Sequence, residues 1–386
     1  MRRVYLDHVA TTQPLPEVVE AMTPYLKELY GNPMSLHDAG VEAKRACEEA
    51  RGRVAALIGA KPEEIIFTSC GTESNNTALK GAAWANALKG KHIVTTQIEH
   101  HSVLNAAKAL EKMGFEVTYV PVDKYGLIDP NAIEKAIRKD TILVSAMHAN
   151  NEIGTIEPIS EIAKVAKAKG VLFHTDAVAS AGNIPVNVNE LNIDLLSLAA
   201  NQFYGPKGAG ALYIRKGVKI MPLLHGGFQE RGLRAGTDNV PGIVGLGKAA
   251  ELASRDLDKR KTRIVPLRDK LIKGLLAGIK NVYLNGHPAD RLPGNVNVSV
   301  EFIEGESMLL FLNNAGVMVA SGSSCTSQAL KVSHVLTAIG IEPALAQGSL
   351  LFSLGIDNTE EDIDYVLEKM PSIADTLRKM SPFYKG

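Results

Sequence analysis

Cysteine is scarce in this chain of 386 residues, with three in all: Cys47, Cys70 and Cys325. Three thiols cannot build a disulfide framework and none stands in a C-x-x-C spacing, so disulfide-stapled folds and cysteine-ligated zinc folds are excluded. Charge of one sign is absent too. Lys and Arg number 42 and Asp and Glu number 42, so no bulk field draws the chain to nucleic acid or an anionic membrane. Long apolar runs are missing, and no stretch approaches the roughly 18 residues of a membrane span. The ten histidines are scattered without an H-E-x-x-H pair, which argues against a dedicated zinc site. Met1-Arg2-Arg3-Val4-Tyr5 reads as the start of structure rather than a secretion signal. The expectation is a cytoplasmic protein with no nucleic-acid or membrane partner. What remains is ordinary for a globular chain: 45% apolar and 22% charged residues, with length for one large and one smaller domain.

Between residues 60 and 215, short β-branched runs (64–68, 92–96, 116–120, 142–145 and 171–174) alternate with segments of helical period (74–88, 103–112 and 159–167). That alternation predicts βαβ units and a mostly parallel sheet, whose ligands bind outside the carboxyl ends of the strands. Two more strand-like runs, 194–198 and 210–214, flank a turn at Gly205-Pro206. A long helical region over 240–279, charge-rich at 255–263, reads as a domain connector. Beyond it, strands at 295–300 and 349–354 and helices at 305–315 and 359–380 predict a smaller α+β domain. The helical segments at 16–29 and 43–57 are expected to pack with that smaller domain.

Polar, glycine-bearing segments sit at the predicted strand ends. Thr68-Ser69-Cys70-Gly71-Thr72-Glu73-Ser74-Asn75-Asn76 joins a strand to a helix. Its amides and hydroxyls suit a phosphate, and a Ser or Thr helix cap would look the same. Asp176, closing His174-Thr175-Asp176, can orient a ligand nitrogen or cap the next helix. His100 in Glu99-His100-His101, and Asn151 in the 147–154 segment, end strands as ligand contacts or as structural residues. Ser321-Gly322-Ser323-Ser324-Cys325-Thr326-Ser327 surrounds a cysteine with small polar residues. Exposure there is a precondition for thiolate reactivity, and an inert loop cysteine is the alternative. Cys47, on a charged helix, and Cys70, in a tight turn, read as inert.

In this order, along the whole chain, these segments resemble the NifS/IscS-type cysteine desulfurases, pyridoxal-phosphate enzymes of the class V aminotransferase fold. The likeness includes Tyr5-Leu6-Asp7 with Ala10-Thr11-Thr12, Gly31-Asn32-Pro33, Tyr204-Gly205-Pro206-Lys207-Gly208, the 229–237 segment ending in Ala235-Gly236-Thr237, and the Cys325 loop. It implies an α/β fold of the aspartate aminotransferase-like type I, with a large, mostly parallel seven-stranded sheet domain over 15–260. A small α+β domain of 1–14 and 261–386 would carry Cys325. By the same resemblance, Gly71 and Thr72 hold the cofactor phosphate, with Thr237 from the other subunit of a homodimer. His100 stacks on the pyridine ring, Asn151 lies beside it, and Asp176 pairs with the ring nitrogen. His8, Asn32 and Leu351 fall in the substrate pocket. Cys325 takes sulfur as a persulfide and passes it to an iron–sulfur scaffold (IscU-like) or another sulfur acceptor.

The chain departs from the pattern where the chemistry is most demanding. The intact run 204–208 fixes the register, so Gln202 stands where the family has the lysine that forms the Schiff base. A neutral amide can neither form an imine nor shuttle a proton as an amine. Ala199 and Asn201 replace a Ser and a His that contact phosphate, and Ala179 replaces a Gln that bonds the cofactor's phenolic oxygen. Leu351 replaces the arginine for the substrate carboxylate, a bidentate contact that leucine cannot supply, and Ile356 replaces a second arginine. Lys207 belongs to the Gly-Pro turn and does not substitute for the missing amine. The sequence therefore predicts a desulfurase homologue in sulfur transfer and iron–sulfur cluster assembly, with impaired cofactor chemistry. The cofactor would be bound without a covalent link or not at all, and Cys325 would serve as sulfur carrier or as a ligand of a shared iron–sulfur cluster. Two alternatives are a working desulfurase that converts L-cysteine to L-alanine, and a repurposed pocket in which His8 and Gln202 are new polar groups.

Overall fold

The computed structural model describes residues 2–321, 332–382 and 384. Its larger sheet has seven strands in the order Ile65–Thr68, Gly210–Ile214, Leu195–Ala199, Leu172–Asp176, Thr141–Ser145, His92–Thr96 and Glu116–Val120. Gly210–Ile214 runs antiparallel to both neighbours, and the other pairings are parallel. The inner strands are buried along their whole length, which is why they read as nearly continuous apolar runs. Side chains alternate between two helix-covered faces. Ile66, Ile93, Leu143 and Leu195 point to the face covered by Gly71–Asn86 and His101–Lys112. Phe67, Val94, Val144 and Leu196 point to the other.

A second core surrounds a four-stranded antiparallel sheet ordered Ala320–Ser321, Ser349–Ser353, Asn295–Val300, Val282–Asn285. Helices Gly305–Asn314 and Glu360–Met380 cover it. The first strand, Val4–Tyr5, joins this side of the molecule through parallel pairing with Val317–Met318. Helix Val240–Gly278 serves both cores. Its first part buries Ile243, Leu246 and Leu252 against the large sheet, and its later part buries Ile264, Leu271 and Leu275 in the second core. Among the described residues no helix is long and apolar enough to cross a membrane.

The element pattern follows the expected one, with ends shifted by a few residues. The placement of the N-terminal helices does not. Pro16–Lys27 and Asp38–Leu57 pack on the large-sheet core, where Val18, Ala43, Ala46, Ala50 and Val54 are buried, and not on the smaller unit. The cause is the small-residue stripe on Asp38–Leu57, which admits Val240–Gly278 at close range. A Cβ on Gly247 would stand 2.5 Å from the Ala50 Cα.

One buried ion pair ties these helices to the sheet. Arg51 donates from Nη1 and Nη2 to the two carboxylate oxygens of Glu230, both at 2.7 Å. One of those oxygens also accepts the Phe67 amide at 2.7 Å. Glu230 reaches this position from a left-handed backbone turn, φ 47°. Removing Glu230 leaves Arg51 with only the exposed Glu48 side chain, 3.2 Å away, as counter-charge, at a cost of up to about 3–5 kcal/mol. Glu230→Ala should lower the urea unfolding midpoint by the corresponding amount, and unchanged stability would show that the pair holds nothing together.

Candidate functional site

The Leu172–Asp176 strand ends by delivering a buried carboxylate to the carboxyl edge of the sheet. Asp176 Oδ2 accepts from Asn75 Nδ2 at 2.6 Å, and the same amide nitrogen donates to Ser102 Oγ at 2.8 Å. Ser102 Oγ lies 2.7 Å from His100 Nδ1, and that nitrogen also accepts the Ser102 amide at 3.1 Å. Nδ1 is therefore an acceptor, which puts the proton of a neutral imidazole on Nε2. Three elements thus lock Asp176 and His100 into one hydrogen-bonded chain: the strand, the Gly71–Asn86 helix and the start of His101–Lys112. Burial raises the Asp176 pKa, opposed by the nearby His100 and by bonds from Val178 and Asn75. Asp176 Oδ1 accepts the Val178 amide at 3.0 Å, so the residue both shapes its turn and offers a buried negative end.

At the phosphate end, Gly71–Asn86 begins after Cys70, whose side chain does not cap it. The Ser/Thr-cap alternative is thus unfilled, and the amides of Gly71 and Thr72 carry no hydrogen bond among the described residues. Glycine is needed at 71 because a Cβ would meet Val178 Cγ2 at 2.5 Å. Thr237 is exposed and shares a shallow hollow with Thr68 and Ser69. Ala199 is buried at its strand end, and Asn201 turns its amide to the Ala10 carbonyl at 3.5 Å.

Gln202 closes a short helical turn, Ala200–Gln202. Its Nε2 donates to the Val9 carbonyl at 2.8 Å, while its own carbonyl accepts from Asn183 at 3.1 Å. A cavity opens beside it, walled by His8, Asn151, Ala179, Tyr204 and Arg260. Leu351 and Asn32 do not line this cavity. Leu351 is buried in the Ser349–Ser353 strand, opposite Asn297 and Ala320, and Asn32 is exposed and accepts the Met34 amide. Lys207 is exposed in its turn. Cys325 lies outside the described residues. Cys47 is buried, and burial pushes its thiol up to about 12, in keeping with an inert residue. No group of three or more metal-ligating side chains occurs among the described residues.

These residues divide in their fit to pyridoxal phosphate. The buried Asp176, the oriented His100 and the open amides at Gly71 suit the ring nitrogen, the ring face and the phosphate. The aldehyde end does not fit, because Gln202 is a neutral amide already donating to Val9. Sequence reasoning missed Asn75 and Ser102, which hold the pair together, and Arg260. Asn75 stood within a quoted segment, but nothing in the spacing tied it to Asp176 or to Ser102. Arg260 was hidden in a charged run that resembled a solvated connector.

The Aminotransferase class-V family model matches residues 4–366. The cysteine desulfurase IscS of Dictyoglomus turgidum is 56% identical over 382 residues, covering 99% of this chain and 97% of that protein. The enzyme of the same name from Methanosarcina thermophila is 57% identical over 381 residues, covering 99% and 94%. Among solved structures, a NifS-like protein superposes with TM-score 0.92 at 42% identity, covering 97% of this chain and 100% of the other. An apo cysteine desulfurase from Thermococcus onnurineus superposes with TM-score 0.86 at 30% identity, covering 97% and 95%. The chain belongs to the class V aminotransferases, a family of pyridoxal-phosphate enzymes, and within it to the NifS/IscS-type cysteine desulfurases.

Behind the site wall, Glu99 accepts from Thr96 Oγ1 and from the Met147 amide. Burial, the largest influence, pushes its pKa up to about 8. A carboxyl that keeps its proton longer in the native state than in the unfolded chain adds stability at low pH, which is lost as pH climbs toward the native pKa. Relative to Glu99→Gln, the wild type should therefore lose stability between pH 5 and pH 8, by at most ~1.4 kcal/mol per pH unit. Parallel pH profiles in urea titrations would show that Glu99 titrates normally.

Proposed function

We propose that this chain is a sulfur-transfer and iron–sulfur assembly member of its family in which covalent coenzyme chemistry is impaired. One observation carries the reading: the side chain at the lysine position is an amide engaged with the Val9 carbonyl. The coenzyme, when bound, would supply an electron sink. The residues for it are those that hold without capturing: Asp176 for the ring nitrogen, His100 for the ring face, and Gly71 and Thr72 for the phosphate. Asn75 and Ser102 fix the first two, and Thr237 of a homodimer partner would complete the phosphate end. Cys325 would carry sulfur supplied from outside the chain, or ligate a shared cluster, in complex with an iron–sulfur scaffold or another sulfur acceptor. The intact Asp176–Asn75–Ser102–His100 chain, together with the high identity to enzymes named cysteine desulfurase, favours a second reading: slow desulfurase turnover of L-cysteine.

Borohydride reduction of the purified protein with added pyridoxal phosphate should leave no coenzyme adduct within the site by intact-mass and peptide analysis. A reduced adduct on Lys207 or any lysine near the cavity would overturn the reading. Gln202→Lys alone should not restore alanine release from cysteine, since Leu351 leaves the substrate carboxylate without its arginine. Adding Leu351→Arg should raise the rate by roughly 10- to 100-fold, the kinetic equivalent of a charge-assisted bond of about 1.5–3 kcal/mol. Full activity from the single change would remove the carboxylate argument.

A further inference from the structure

Arg260 sits midway along Val240–Gly278, between the two stretches that enter the two cores. It is 7% exposed, yet neither Nη1 nor Nη2 has a hydrogen-bond partner among the described residues. Among the described residues it forms no ion pair, although the Asp256 charge acts on it. Asp256, one turn earlier on the helix, is committed to Arg255 at 2.6 and 3.0 Å. The guanidinium lies over the Tyr204 ring, 4.9 Å from its centroid, a contact that fixes its plane and leaves its edge free. A buried cation with its donors unmatched is costly, and such donors are met in folded proteins by an ordered water, an ion or a ligand.

Arg260 is one of the residues that wall the cavity beside Gln202, with both terminal nitrogens enclosed. A second unmatched group shares the wall. His8 is 7% exposed and packs edge-on against Tyr5 with centroids 4.9 Å apart; its ring lies against the Tyr5 backbone and the Asn358 side chain without a well-formed hydrogen bond to either. The remaining surface includes Lys261, a second cation, and the apolar Ile264, Leu292 and Leu354, which suit the hydrocarbon body of an organic anion. We infer that this cavity binds a small organic monocarboxylate, with Arg260 forming the bidentate contact and His8 supplying a further hydrogen bond. A planar fork against a planar carboxylate is the geometry that guanidinium serves best. Leu351 does not line the cavity, so this carboxylate is not at the position that the family resemblance gives to the substrate's. The inference rests on Arg260 and not on the fate of the coenzyme: a lysine–coenzyme adduct would sink the proposed function and leave the carboxylate site standing.

Titration calorimetry of the full-length protein with propionate tests it, with propionamide as the neutral isostere and inorganic phosphate as the competing anion. Propionate should bind saturably in the range of ~1 mM or tighter, about −4 kcal/mol or better, while propionamide and phosphate bind at least ten times more weakly. Arg260→Met should abolish propionate binding while the ligand-free melting temperature stays level or rises, since the change removes an unpaired buried charge. Arg260→Lys should retain weaker binding. The inference is overturned if propionate fails to bind, if propionamide or phosphate binds as well, or if Arg260→Met binds like the wild type. Should Arg260→Met not fold, Ala179→Leu decides by filling the cavity from another wall, and unchanged propionate affinity in that variant overturns the site.

Discussion

A single continuous helix, Val240–Gly278, sets the geometry on which the rest of the molecule depends. Its two ends are buried in different hydrophobic cores, so the sheet that carries Asp176 and the sheet that carries Leu351 cannot move apart without unburying one of them. The middle of the helix has no core of its own, and there the charged stretch begins. Arg260 is buried within that stretch, packed onto Tyr204, while Lys259 is exposed and Lys261, also exposed, lines the same cavity. A structural strut has thereby placed a cation at the junction of the two units, next to the residue that replaces the family's lysine.

The site consists of two halves with different histories of constraint. The half built on strand ends is mutually satisfied: each of Asp176, Asn75, Ser102 and His100 depends on the next for its orientation. Such networks resist piecemeal change, because removing one member strands the others. The half around Gln202 is open and its groups are loosely matched. The Val9 carbonyl takes the Gln202 side-chain amide and Asn183 holds the Gln202 backbone carbonyl, but His8 and Arg260 keep unfilled bonding capacity. The half that would hold a ring is therefore the ordered one, and the half around Gln202 is the one with spare bonding capacity.

Much of this was legible beforehand, for identifiable physical reasons. Inner strands of a parallel sheet are apolar on both faces, so runs such as 92–96 and 210–214 could be located to the residue. The expectation that Gln202 stands at the lysine position rests on an intact turn downstream that sets the register. Packing partners were not. Asp38–Leu57 carries charges between its alanines and reads as a surface helix of either unit; only the close approach of Gly247 to Ala50 assigns it. Asn75 reaches Asp176 and Ser102 across sequence separations of 101 and 27 residues, which no local pattern reveals. Arg260 has the same composition around it as its solvated neighbours, and only burial separates them.

The parallel pairing of Val4–Tyr5 with Val317–Met318 bears on how the polypeptide matures. Synthesis on the ribosome makes Val4–Tyr5 before its partner, so this strand has nothing to bind until more than 300 further residues have been added. Closing so long a span is entropically slow. The seven-stranded sheet, complete by residue 214, can assemble while translation continues, and the smaller sheet must wait. The nascent chain therefore holds Val4–Tyr5 unpaired while the seven-stranded sheet forms, and docking of that strand follows the sheet's assembly.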